Sequence, residues 1–355
     1  MSISTLPPNC NLETVPVYRQ LNQTSRILAE LKARANLIPN HSILIGTLPW
    51  REAKASCAIE NIVTTYSDIL QTGPRPQEAG SPQAREVALY RQSLMCGWRL
   101  MEKQGMIIST NTIIEMFRVL KQTDAGFRAV AGTRIVNQDT GAVVYTPPQH
   151  PDQVTALMGD LENFINRDEL CNLDPLIKMA IIHHQFESIH PFSDGNGRIG
   201  RILNVLYLLR CGLLDYPVLY LSGPIVKSKN EYYRLLQQVR ENGCWPEWVI
   251  YMLRAVAQAA ATEIGMIADI HELMMATKQR MRTSLPKIYS HELINTLFCY
   301  PYTRSEYVIR ALGVGRQTAA KYLNALARHG FVRKMKAGRI NYFINDPLAQ
   351  LLMRD

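Results

Sequence analysis

The chain has 355 residues, 47% of them hydrophobic, and a formal net charge of +9, enough length and apolar content for a large core spread over two or three units. Its most apolar stretch, Ile202 to Leu221, is broken by Arg210 and Asp215, which excludes a membrane span of about 18 uninterrupted apolar residues. The N-terminus has neither a charged nor an apolar signal-peptide region, and the seven scattered cysteines contain no C-x-x-C pair, so the expectation is a cytoplasmic protein with reduced thiols and no zinc site.

Taken in order, Tyr18 to Ala35 carries Leu21, Ile27, Leu28 and Leu31 at helical spacing. Pro39-Asn-His-Ser breaks the pattern, and Ile43 to Gly46 reads as an extended or turn segment. A helix is predicted over about residues 49–62, with Pro49 in its first turn and Ser56 and Glu60 on one face. Residues 72–84 form a Pro/Gly-rich loop. Helices are predicted over 84–103 and 109–121, the second capped by Ser109 or Asn111.

The β-prone segments Thr133–Asn137 and Ala142–Thr146 flank Gln138-Asp-Thr-Gly141 and predict a hairpin within 127–148. An amphipathic helix follows over 152–166. Asp174-Pro175 then reads as a cap with proline at the first helical position, opening a helix that runs through His184 toward Glu187. His183 and His184 lie near His190, but there is no H-E-x-x-H and no partner cysteine, so both are read as structural. Tyr216 to Leu221 is β-prone, Lys229 begins a helix, and a long helix is predicted from about Pro246 to Arg282.

The chemistry is concentrated in His190-Pro-Phe-Ser-Asp-Gly-Asn-Gly-Arg-Ile-Gly-Arg201. The apolar run Ile202 to Leu209 follows at once, so Asp194 to Gly197 reads as a loop feeding the N-terminus of a buried helix. Such a terminus offers unpaired N–H groups and a positive dipole end to a phosphate. Gly195 and Gly197 leave room for close approach of a ligand. Arg198 and Arg201 stand in the first turn, where a cation costs about 0.3–1 kcal/mol; two of them there imply an anion. His190 is a candidate base near neutral pH. Asp194 offers hard oxygen for Mg²⁺, which is commonly shared with substrate phosphates. Phe192 is expected to anchor the loop in the core. No G-x-x-x-x-G-K-S/T run is present, which excludes a P-loop.

This run resembles, in full, the signature of Fic-domain proteins, and Ser56-Cys-Ala-Ile-Glu60-Asn61 resembles their upstream inhibitory motif, Ser/Thr-x-x-x-Glu-Gly/Asn. The resemblance covers roughly residues 10 to 260. It implies a mainly α fold, a helical-bundle core with a β-hairpin flap that holds a target segment by strand addition. It further implies a protein adenylyltransferase that moves AMP from ATP, with Mg²⁺, onto a hydroxyl of a target protein, which can be the enzyme itself. His190 would be the base and Asp194 the metal ligand. Gly195, Asn196 and Gly197 would hold the α-phosphate, Arg198 the β-phosphate side and Arg201 the γ-phosphate. Glu60, steadied by Ser56, would pair with Arg201 and keep the enzyme off, or position water for removal of AMP. Tyr232 or Tyr233 would stack on adenine, or both are simply packed. A homodimer stays open, and so do another nucleotide donor and a regulator with a nucleotide-sensing core.

The expected units are 1–105, 106–260, a linker helix over 261–286, and 287–355. In the last, helices are predicted over 291–297, 303–312 and 316–329, followed by a hairpin with Gly338 at its tip, which resembles a winged helix. Residues 301–355 hold ten Lys/Arg against three Asp/Glu, a balance of +7 that leaves +2 for the first 300. Arg316, Gln317 and Lys321 would face a DNA groove; a protein-interaction module is the alternative.

Overall fold

The computed structural model describes residues 3, 6–38, 40–65, 68–69, 76, 80–136, 141–337 and 340–354. The first helices in chain order are α1 (Val15–Asn36), α2 (Ser42–Ile59), α3 (Pro82–Lys103) and α4 (Thr110–Lys121). A short antiparallel pair follows, β1 (Ile135–Val136) with β2 (Val143–Tyr145). Next come α5 (Pro151–Asn166), α6 (Pro175–Ile189), α7 (Asn196–Arg210), α8 (Ser222–Lys227), α9 (Lys229–Asn242) and α10 (Trp245–Ser284).

The centre is set by α6 and α7. Every residue from Leu176 to Ile189 is buried, as is the whole apolar run Ile202 to Leu209. Helices apolar all round belong inside a bundle, and these two pack on each other with residues 190–195 as the connection. The 40-residue α10 crosses beside them, and Trp248 donates its indole N–H to the Ala180 carbonyl at 2.8 Å. α1 lies along α10, with the Thr24 hydroxyl on the Leu253 carbonyl at 3.0 Å.

Two local expectations change. Ile43 to Gly46 is the first part of α2, and Pro49 lies inside that helix instead of opening it. A proline there leaves the carbonyl four residues back without its helical donor; the Arg91 guanidinium supplies one to Ile45 at 3.4 Å. Residues 216–221 form no strand, and the chain turns through them into α8. The hairpin turn at 137–140 and most of the 72–84 loop lie outside the described residues.

The C-terminal unit contains α11 (His291–Phe298), β3 (Tyr302–Thr303), α12 (Ser305–Leu312), α13 (Arg316–Arg328), β4 (Arg333–Ala337), β5 (Ile340–Ile344) and α14 (Asp346–Leu352). Its antiparallel sheet has the order β3-β5-β4, and the chain order α11-β3-α12-α13-β4-β5 is that of a winged helix, with α14 as a fourth helix at the end. β3 and α14 were not expected from sequence. The predicted tip, Gly338, lies outside the described residues. The unit sits directly on α2. The Arg51 guanidinium pairs with buried Glu263 and donates to the Arg354 carbonyl at 2.8 Å. The α2 backbone at Gly46 is so close that a Cβ there would stand 1.9 Å from the Cys299 carbonyl oxygen. The stretch expected as a linker helix is the second half of α10. Among the described residues no helix is long and apolar enough to cross a membrane.

Candidate active site

Asp174 caps α6 by accepting from the Leu176 N–H at 2.8 Å, with Pro175 at the first helical position. The helix ends at His190, which is in the left-handed region at φ 50° and gives its N–H to the Phe186 carbonyl. That geometry turns the chain sharply into the loop. Phe192 is fully buried and stacks on Phe117 at 4.1 Å, so the loop is anchored in the core.

The Asn196 side chain is tied to the backbone of its own loop. Its side-chain oxygen accepts from the Phe192 N–H and its amide donates to the Phe192 carbonyl, both at 2.8 Å. These two bonds stitch the loop closed on itself and engage the side chain that was expected to help hold the α-phosphate. Gly195, at φ 78°, occupies the N-cap position of α7, where left-handed backbone favours glycine. Asp194 accepts from the Gly195 N–H through Oδ1 at 2.6 Å and from Lys121 Nζ through Oδ2 at 2.6 Å. Burial raises the Asp194 pKa, but Lys121, Arg198 and the Gly195 N–H together outweigh it and hold the carboxyl below its usual range.

Arg198 and Arg201 are buried, at 2% and 1% exposure, and Glu60 stands between them. Its Oε1 accepts from Arg201 Nη2 at 2.7 Å and its Oε2 from Arg198 Nε at 2.9 Å. The carboxylate therefore bridges both arginines, where only Arg201 was expected. Ser56 completes the Arg201 shell, its hydroxyl accepting from Nε at 2.7 Å and its carbonyl from Nη2 at 3.0 Å. Burial lowers the pKa of the Arg201 guanidinium, but the Glu60 charge more than offsets this and holds it above its ordinary value. Gly197 leaves the space this needs: a Cβ there would stand 2.6 Å from Glu60 Oε1 and 2.9 Å from Arg201 Nη1.

Three participants have no signal in the motif. Glu86 of α3 pairs with Arg198 through Nη1, while Glu60 takes Nε. Lys121 is the last residue of α4. Arg128 roots the hairpin on the loop: its backbone N–H donates to the Pro191 carbonyl and its Nε to the His190 carbonyl, each at 2.9 Å, and Nη2 reaches the Pro148 carbonyl. Charged residues this far from the motif in sequence read as solvated surface, so only the fold brings them here.

The His190 ring is pushed down to a pKa of about 4, first by burial and then by the charges of Arg240 and Arg128. A hydrogen bond to the Glu187 backbone opposes these without cancelling them, and the ring is therefore neutral at pH 7. His183 and His184 are buried. His183 Nε2 meets the Tyr232 hydroxyl at 2.8 Å and His184 Nε2 the Leu236 carbonyl at 3.2 Å, which is a packing role. Tyr232 is buried too, its ring against Trp248 and its hydroxyl used by His183, so it has no face to offer a base; Tyr233 is the exposed member of the pair.

The profile of the Fic/DOC family matches residues 107–208 and that of the Fic/DOC family N-terminal region residues 18–99. The profile described as "Protein adenylyltransferase SoFic-like, C-terminal domain" matches residues 273–348. The chain belongs to the Fic/DOC family. Among similar proteins, "Protein adenylyltransferase fic-1" of Caenorhabditis elegans is 33% identical over 138 residues, 39% of this chain and 25% of that protein. "Protein adenylyltransferase Fic" of Aedes aegypti is 26% identical over 151 residues, 42% of this chain and 29% of that one. The chain thus spans about a quarter of the length of the curated relatives it matches. A Fic family protein from Desulfovibrio desulfuricans G20 has the same fold at TM-score 0.57 and 21% identity, over 93% of this chain and 96% of that one. C. elegans Fic-1 (residues 134–508) gives 0.53 and 23%, over 71% and 74%.

Proposed function

We propose that this Fic/DOC protein transfers AMP from ATP to a side-chain hydroxyl of a target protein, with release of pyrophosphate, and that Glu60 holds it in a resting state. The observation that carries this is the Glu60 carboxylate seated between two buried guanidiniums at the start of α7. A carboxylate and a phosphate compete for the same guanidinium donors.

With Glu60 turned away, the phosphates of ATP take over the donors of Arg198 and Arg201, helped by the backbone N–H groups after Gly195. The neutral His190 ring accepts the proton of the attacking hydroxyl, and the acceptor oxygen bonds to the α-phosphorus as the bond to pyrophosphate breaks. Preorganised donors stabilise the charge that builds on the α-phosphate. Asp194 fits a divalent cation: it is a hard oxygen donor, 62% exposed at the mouth of the site and 3.7 Å from Arg198. Bound there, Mg²⁺ would neutralise phosphate charge. The hairpin, with Val136, Val143 and Val144 exposed, would receive the target segment.

Autolabelling with α-labelled ATP and Mg²⁺ tests the proposal on the wild type, Glu60→Gly, and Glu60→Gly with His190→Ala. Weak label, strong label and none are expected in that order. Label that survives His190→Ala would sink the proposed base. A run with other nucleoside triphosphates identifies the donor.

A second reading rests on the C-terminal unit. Arg316, Gln317 and Lys321 are exposed on α13, the helix a winged helix places in a DNA groove. A gel shift whose affinity falls steeply with salt, and more steeply than in an Arg316→Ala, Lys321→Ala variant, would support it.

A further inference from the structure

Glu60 satisfies the anion-binding pole of the site; the opposite pole is satisfied as well. Asp194 is the carboxylate at the mouth, and its Oδ2 takes a 2.6 Å ion pair from Lys121 with Arg198 Nη2 3.7 Å away. Exposed ion pairs usually count for little, but this lysine is not a loose surface chain. α4 ends on it, and the next residue, Gln122, is left-handed at φ 51°, so the helix stops where Lys121 can cross to the loop. Its stem lies along the Gly195 turn: Leu120 Cδ2 and Lys121 Cδ are 3.3 and 3.6 Å from where a Cβ on Gly195 would be. Its side chain is only 26% exposed, while Asp194 stays 62% exposed and reachable from solvent.

We propose that Lys121 is a built-in counter-cation that occupies Asp194 in the resting site and competes there with the divalent cation that accompanies the nucleotide. The inference rests on the adenylyl-transfer reading. Two charges of one sign cannot share one carboxylate oxygen at contact distance without repulsion, so the lysine must swing off before a metal ion settles. The resting site is then neutralised twice by groups of this chain, by Glu60 at the arginines and by Lys121 at the aspartate. Arg198 touches both. Lys121 is a positioning residue and takes no part in bond making.

The test is binding of a fluorescent, non-hydrolysable ATP analogue to the full chain carrying Glu60→Gly, at fixed analogue concentration over a range of Mg²⁺. Lys121→Met keeps the packed stem and removes the charge. The Mg²⁺ concentration for half-maximal binding is expected to fall about threefold to fivefold, the range of one weakly screened ion pair. Lys121→Arg should restore the parent value, and in an Asp194→Asn background Lys121→Met should change nothing. An unchanged requirement overturns the competition, and a higher one overturns it in favour of a lysine that assists the phosphates. Absence of Mg²⁺-dependent binding in every variant overturns the adenylyl-transfer reading along with it. Intact binding that ignores Lys121 overturns the lysine alone.

Discussion

Removing Glu60 should make the protein less stable and its nucleotide tighter. The carboxylate makes two charge-assisted hydrogen bonds to guanidiniums that are almost wholly buried. Each such bond is worth about 1.5–3 kcal/mol, and breaking a buried pair costs about 3–5 kcal/mol because a charge is left behind. Here the loss is cushioned. Arg201 keeps the Ser56 hydroxyl and carbonyl, and Arg198 keeps Glu86. A net loss of about 3 kcal/mol in Glu60→Gly follows, several degrees in Tm for a chain of this size. The same term, no longer opposing the phosphates, should tighten ATP roughly 50-fold or more, at about 1.4 kcal/mol per tenfold. Calorimetric titration with a non-hydrolysable ATP analogue and thermal melts with and without it measure both. The analogue should restore more of the Tm in the variant than in the wild type. Equal nucleotide affinity in the two proteins would refute the reasoning, because the carboxylate would then not be competing with phosphate.

Asn196→Ala should cost about 2–4 kcal/mol of stability, since it leaves the buried Phe192 N–H and carbonyl without their partner; a melt unchanged from wild type would mean that the side chain does not stitch the loop. Gly46→Ala should destabilise by about 3 kcal/mol or more and loosen the C-terminal unit, because the carbonyl it meets is backbone and cannot swing aside. A normal Tm and unchanged proteolysis between α10 and α11 would contradict that close approach. His183 is pushed down to a pKa of about 3, first by burial and then by Arg201, and His190 to about 4. Both lie below the unfolded value of about 6.5, so at these two sites the unfolded chain binds protons first and their contribution to stability is lost as pH falls from about 6.5 toward 4. The slope should approach about 1.4 kcal/mol per pH unit for each such histidine, and His183→Gln should flatten it. Buried Glu187 and Glu263, each pushed up to about 7 chiefly by burial, pull the other way over the same range, so the deciding comparison is wild type against His183→Gln, and an equal slope in the two would refute this account.

The loop before α7 was legible because its motif sits in twelve contiguous residues followed by an apolar run interrupted only by Asn204. Glycine spacing and hydrophobicity are local signals, and they place His190, Asp194, Arg198 and Arg201 around one helix start. What tertiary contact decides was not legible. The resemblance assigns Asn196 to the phosphate and gives no hint of the two bonds that tie its side chain to Phe192. Tyr232 and Tyr233 are indistinguishable by type, and the helix face alone buries the first. Pro49 reads as a helix start because nothing nearby in sequence announces that Arg91, 46 residues from Ile45, will reach the carbonyl it leaves. β3 is two residues long, too short for any period.

The way α2 is held also says which part of the clamp can move. Glu52, Ser56 and Glu60 follow one another at four-residue spacing, on one stripe. Glu52 is buried and takes the Tyr90 hydroxyl at 3.0 Å and the Ser222 N–H at 2.8 Å, and Ser56 is buried against Arg201. On the neighbouring face Arg51 is paired with Glu263, and Gly46 is pressed on the C-terminal unit. Drawing the helix back would break all of these at once, and each buried polar group stripped of its partner costs several kcal/mol. Glu60 itself is the C-cap, 23% exposed, with Asn61 already in the left-handed region at φ 61°. Rotation of one side chain at the helix end costs only its two bonds, which the incoming phosphates of the proposed reaction would replace. If Glu60 is the clamp proposed above, the low-energy route to an open site is therefore release of its carboxylate from a helix that stays in place.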